Sequence, residues 1–148
     1  MPRVCISEAH PTDVLAIRRF VRRLSAAARR TRFFHMTRAA RAAGDELSLV
    51  ARDRDSGIVV GHALAVLGGD GTAEVAVAVA DAYKSREIGG QLLSRLMAEA
   101  QRCGVHSFDA EIEAGNGRML EIFAREGYEL ALEPGTSLVH ASLEPQSS

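Results

Sequence analysis

The sequence predicts a mixed α/β (α+β) fold, with one mixed sheet covered by helices on both faces. Two observations carry this. Apolar residues recur first at three- and four-residue spacing, then alternate, then return to helical spacing between short strands. Glycine-containing turns also join consecutive strands in the middle of the chain, which makes those strands neighbours.

The elements follow in order. Arg3 to Ile6 reads as a first strand. Pro11-Thr12-Asp13 opens a helix, because proline is tolerated in a first turn. Val14, Ile17, Val21 and Leu24 form its apolar stripe, with Phe20 alongside and Arg18, Arg19, Arg22 and Arg23 on the wet side. A second short helix is expected over Thr37 to Ala43, ended by Gly44.

The period then becomes two. Leu47 to Arg52, Ile58 to Leu67 and Thr72 to Ala80 read as three strands, the last two joined through Gly68-Gly69-Asp70-Gly71. In the third, Val75, Val77 and Val79 share one face. Ala76, Ala78 and Ala80 share the other, where something must approach closely. Ile88, Leu92, Leu93, Leu96, Met97 and Ala100 mark a helix closed by Gly104. A strand over Ser107 to Ile112, a helix beginning at Asn116 and ending at Gly127, and strands over Tyr128 to Leu132 and Ser137 to Leu143 complete the order.

The 148 residues suit a single domain, 1–148, with residues 145–148 as a disordered tail. Nearly half the residues are apolar and a quarter charged, an ordinary globular balance. No apolar run approaches a membrane span and no signal-peptide pattern opens the chain, so the expected location is cytoplasmic, with no membrane partner. Cys5 and Cys103 are isolated, which points to two buried free thiols and no metal site. Arginine crowds the first third, including Arg29, Arg30, Arg32, Arg38 and Arg41. Amphipathic spacing explains much of that charge, and aromatic residues are few, so nucleic acid is an unlikely partner.

The informative stretch is "KSREIGGQLL", residues 84 to 93. A strand runs through a glycine-containing turn into a helix, and unpaired N–H groups with the helix dipole attract anions at such a start. Ile88, Gly89, Gly90 and Gln91 could offer donors, while Lys84 and Arg86 add charge. The competing reading is a helix cap, with Ser85 as N-cap and Glu87 favouring the dipole. Glu74 is the one acid in an otherwise apolar strand, where part-burial would raise its pKa and suit a general base. Asn116 reads as a helix cap or as a group bonding a ligand amide.

The run "AEVAVAVADAYKSREIGGQLLSRLMAEAQRCGVHSFDAEIEAGNGRMLEIFAREGY" resembles the acetyl-CoA-binding core of the GNAT N-acetyltransferase superfamily. That family carries a strand, an R/Q-x-x-G-x-G/A loop, a helix, a strand, an asparagine and a closing Gly-Phe or Gly-Tyr. The N-terminal "TDVLAIRRFVRRLSAAARRTRFF" resembles a subgroup of bacterial protein-lysine acetyltransferases. The resemblance implies the GNAT fold, with a central, mostly antiparallel sheet, and acetyl-CoA as cosubstrate. It places Lys84, Ser85, Arg86, Ile88, Gly89, Gly90 and Gln91 over the pyrophosphate, and the backbone of Val77, Ala78 and Val79 along pantetheine. Asn116, Met119 and Phe123 join the cofactor-binding set, and Glu74 takes the place of the catalytic glutamate. It also implies that the strands carrying Val77 and Ile112 splay apart.

Three positions depart from the family pattern, Lys84 mildly, since it stands at the motif's Gln/Arg position. Glu87 replaces the loop's first glycine, and Phe123 stands where many members have a tyrosine general acid, with Tyr128 as a distant substitute. The implied activity is direct acetyl transfer to a primary amine, with protein lysine one acceptor among several. A degenerate regulatory module that binds acyl-CoA weakly or not at all is the alternative. Monomer and homodimer both remain open.

Overall fold

The structure is a computed structural model, and the residues it describes are 4–24, 45–83 and 86–144. The expected helix over Thr37 to Ala43, the arginines from Arg29 to Arg41, Lys84, Ser85 and the 145–148 tail lie outside them.

Strand β1 (Val4–Glu8) leads through a 3-10 turn (Pro11–Asp13) into α1 (Val14–Arg22). Strands β2 (Asp45–Asp53), β3 (Val59–Leu67) and β4 (Thr72–Val79) follow. Helix α2 (Arg86–Arg102), β5 (Ser107–Glu113), α3 (Gly117–Arg125), β6 (Glu129–Leu132) and β7 (Leu138–Leu143) complete the described elements. They form a seven-stranded sheet in the order β1-β2-β3-β4-β5-β7-β6. Only β4 and β5 pair in parallel, so the sheet is mixed and mostly antiparallel, as expected. The first strand runs two residues further than the sequence suggested, because Ser7 and Glu8 also pair, with Val50 and Leu49.

The valine–alanine alternation of β4 decides which helix covers which face. Val75 and Val79 pack under α2 and α3, in a core with Leu92, Leu93, Leu96, Ile122 and Phe123. Ala78 turns to the opposite face, where Phe20 and Val21 of α1 close on it together with Val50 and Val59. The close approach that the alanines called for is therefore made by α1.

The two thiols correct the sequence reading. Both Cys5 and Cys103 are exposed. Cys5 falls on the outward row of edge strand β1, and Cys103 lies in the turn after the last residue of α2.

Two polar contacts fix the elements around the site. Asp13 accepts from the His10 main-chain N–H at 2.7 Å and pairs with Arg52 of β2, which pins the entry to α1 against the sheet. Tyr83 donates its hydroxyl to Asp53, so the turn after β4 is held to the end of β2. That turn delivers the chain to the start of α2.

Candidate active site

The site begins where two strands stop pairing. Strands β4 and β5 share three rungs, Thr72–Ser107, Ala73–Phe108 and Glu74–Asp109. Both strands continue past the last rung, β4 to Val79 and β5 to Glu113, without pairing to each other. Between them the sheet is forked, as the family resemblance implied.

Strand geometry settles which groups face the fork. The Ala80 N–H donates across to Val60 O of β3 at 2.8 Å. Main-chain polar groups alternate sides along a strand, so those of Ala78 also face β3 while those of Val77 and Val79 face the fork. The Val77–Val79 stretch thus supplies Val77 and Val79 to the gap. Ala78 contributes its methyl group to the α1 side instead.

Helix α2 starts at the open end of this gap. Counted from Arg86, the N–H groups of Arg86, Glu87 and Ile88 precede the first complete helical turn and have no helical carbonyl to bond. Gly90 and Gln91 come later, where N–H groups bond the carbonyls of Arg86 and Glu87 four residues back. The three donors at this start therefore precede Gly90 and Gln91 in the chain.

The glycines serve packing and space. A Cβ on Gly89 would lie 2.6 Å from Ile122 Cδ1, so its absence lets α2 and α3 close together. A Cβ on Gly90 would meet nothing within 4 Å. Gly90 and Gln91 line a groove of about 530 Å³ between α2 and α3, with Glu87, Ser94, Ile122 and Arg125. The Glu87 side chain is exposed in the first turn of α2.

Asn116 is the N-cap of α3, and its Oδ1 accepts from the Met119 N–H at 3.2 Å. Its Nδ2 amino group is the part left to meet a ligand. Met119 and Phe123 are buried in the core, and the Phe123 ring sits edge-on to Tyr128 at 4.8 Å. Tyr128 lies one residue before Glu129, the partner of Ser142, which sets it level with Leu143 and Phe108. That is the closed end of the fork. Burial, then the nearby charges of Glu126 and Asp109, push the Tyr128 hydroxyl well above its usual range.

Glu74 is partly buried and faces the α1 side of the sheet, the same face as Ala78. Asp109 stands beside it on the last rung, and Glu111 and Glu113 continue the row along β5. His140 of β7 contacts Asp109 Oδ1 through Nε2 at 3.0 Å. Glu111, Glu133 and His140 bring their ligand-type atoms within 4.8 Å of one another. The sequence reading passed over this acid row. Its signal was present in Ser107–Glu113, "SFDAEIE", where every second residue from Asp109 is acidic.

A profile of the Acetyltransferase (GNAT) family matches residues 15–128. The chain belongs to this family and so to the acetyl-CoA-dependent acetyltransferases. Its fold is similar to the GNAT domain of S. lividans PAT, at 21% identity and a TM-score of 0.74, covering 95% of this chain and 89% of that one. It is also similar to the ribosomal-protein-alanine N-acetyltransferase of Brucella melitensis, at 24% identity and a TM-score of 0.69, covering 95% and 99%. A third similar structure is yncA of Salmonella typhimurium with its cofactor acetyl-CoA, at 25% identity and a TM-score of 0.70, covering 95% and 93%. No curated protein matches the chain significantly. Among the described residues no helix is long and apolar enough to cross a membrane.

Proposed function

We propose that this chain moves an acetyl group from acetyl-CoA to a primary amine by direct transfer, with Glu74 as general base and protein lysine as one acceptor. The observation that carries the reading is the fork beyond the Glu74–Asp109 rung, with the main chain of Val77 and Val79 turned into it. These groups fit an extended amide-bearing arm lying between the strands. The N–H groups at the start of α2 fit its phosphates, and the Asn116 amide fits an amide group of the arm.

Acetyl-CoA supplies an acetyl group already activated as a thioester. The chain's own task is to make the amine nucleophilic and to hold the reacting carbonyl. A lysine amine has a reference pKa of about 10.4, so at neutral pH it arrives as an ammonium. Glu74 takes that proton, directly or through a water. The nitrogen lone pair then forms the C–N bond as the C–S bond breaks, the nitrogen gives up its second proton to solvent, and the leaving thiolate is protonated from solvent. N–H groups of the Val77–Val79 stretch polarise the carbonyl. Phe123 cannot act as an acid, and a thiolate leaving group does not require one.

Labelled acetyl-CoA incubated with the protein and a cell extract tests the reading. Label should appear on protein bands, with free CoA released. Label confined to small molecules would exclude the protein acceptor. Absence of any transfer, with calorimetry showing no acetyl-CoA binding, would favour the regulatory module instead.

A further inference from the structure

Resting on that reading, we infer that Tyr83 is a positioning residue for acetyl-CoA binding: its bond to Asp53 sets where the start of α2 presents its N–H groups to the phosphates. Those donors are the N–H groups of Arg86, Glu87 and Ile88. They stand at the end of a connection that leaves the sheet at Ala80, whose own N–H is tied to Val60 O. Residues 81–85 make the connection, and Tyr83 is the middle one.

Tyr83 is held in three ways. Its N–H donates to Ala80 O at 2.9 Å. Its ring packs against the main core. Its hydroxyl donates to Asp53 Oδ2. The third contact sets direction, because a hydrogen bond is directional and apolar burial is not.

Asp53 is itself a fixed post. Its Oδ1 accepts from the Asp55 N–H at 2.8 Å and the Ser56 N–H at 3.0 Å. Its main-chain N–H donates to Ile58 O, and its carbonyl accepts from the Gly57 N–H. The preceding residue, Arg52, pairs with Asp13 on the opposite face. The end of β2 therefore carries two successive anchors, one for α1 and one for the approach to α2. The Tyr83 hydroxyl, then the Ser56 and Asp55 N–H groups, hold the Asp53 carboxyl below its usual range, and the same bond pushes the Tyr83 hydroxyl up. At neutral pH the donor stays protonated and the acceptor stays charged.

Helix-start N–H groups bind an anion best when they are already aimed, since less freedom is then lost on binding. Downstream, the start of α2 is fixed by Ile88, which is 8% exposed, and by the contact of Gly89 with Ile122. Upstream, residues 84 and 85 alone separate the Tyr83 anchor from Arg86. Without the hydroxyl, the turn keeps its ring contact and loses the bond that sets its direction.

Tyr83→Phe keeps the ring and removes the hydroxyl. Calorimetry should show its acetyl-CoA Kd raised by about three- to tenfold. Its kcat at saturating acetyl-CoA, read on a blocked Ala-Lys-Ala peptide or on butylamine, should stay within about twofold of wild type. Asp53→Asn keeps an oxygen for the turn N–H groups and removes the charged acceptor, so its affinity should fall similarly. The double variant should bind no more weakly than the weaker single, because both substitutions remove one contact. A contact that serves structure alone would lower the melting temperature of the free protein and leave the Kd unchanged, and that result overturns the inference. Losses that add in the double variant also overturn it. A wild type that binds acetyl-CoA but acetylates neither amine removes the parent activity and leaves the Kd comparison to decide the inference. A wild type that binds no acetyl-CoA removes both.

Discussion

Gly89 of α2 faces Ile122 of α3 with no room for a side chain between them. A Cβ there would sit 2.6 Å from Ile122 Cδ1, inside a core where Ile122 is 4% exposed. Gly89→Val should lower stability by about 1–2 kcal/mol, because overpacking costs about 1–3 and the better helix former returns only a few tenths. Gly90→Ala should do the opposite, adding about 0.5–1 kcal/mol, since its Cβ would meet open space. Urea melts of both variants decide the matter. A destabilised Gly90→Ala beside an unaffected Gly89→Val would refute the packing argument.

The Glu74 prediction concerns rate rather than stability. Glu74→Gln keeps the shape of the side chain and removes its basicity. Turnover should fall by roughly 10²–10⁴-fold, the usual contribution of a general base, with acetyl-CoA affinity little changed. Wild-type turnover in this variant would exclude the role.

Glu87 stands in the first turn of α2 with its side chain exposed. A carboxylate near bound phosphates repels them, by about 0.7 kcal/mol at 6 Å in water and about 3 at an effective dielectric of 20. Exposure favours the lower figure. Glu87→Gly should therefore tighten acetyl-CoA binding by about three- to tenfold, more at low salt. It should also cost about 1 kcal/mol of stability without ligand, through glycine's helix penalty and the lost dipole contact. Calorimetry at two salt concentrations measures the first effect. Weaker binding in the variant would mean that Glu87 contacts the ligand.

Asp13 gives a pH signature. The His10 main-chain N–H and then the Arg52 guanidinium hold its carboxyl below the usual range, against the opposing effect of burial. The folded pKa is thus depressed relative to the unfolded value of about 3.9. The resulting stabilisation is present above that value and is lost as pH falls through the folded pKa. Asp13→Asn should cost on the order of 1–2 kcal/mol at pH 7, the range of a hydrogen bond to a charged group. The gap between wild type and variant should narrow below about pH 4. A gap constant down to pH 2 would show that the charge contributes nothing.

How much of this was legible in the sequence depends on the range of each interaction. The two faces of β4 could be read from Val75, Val77 and Val79 against the alanines, because alternation is local. So could the Asn116 cap, whose partner Met119 is three residues away. The reason for Gly89 could not, since Ile122 meets it only through the packing of two helices. Burial of Met119 and Phe123 was legible too, since with Ile122 they recur at three- and four-residue spacing along one helix. The exposure of Cys5 was missed because nothing in the composition marks β1 as an edge. The acid row along β5 was visible as alternation, but its link to Glu74 needed the register that joins Glu74 to Asp109.

The fork also leaves the protein with an edge in the interior of its own sheet. The amides of Val77 and Val79 have a strand on one side and a gap on the other. Hydrogen exchange at these two valines should therefore outpace that of Ala78, whose polar groups face β3. Exposed strand edges invite pairing with foreign strands, and natural proteins cover or shorten them. Here the parting is confined to the last few residues of β4 and β5, beside three intact rungs. The opening is too short to template a second sheet.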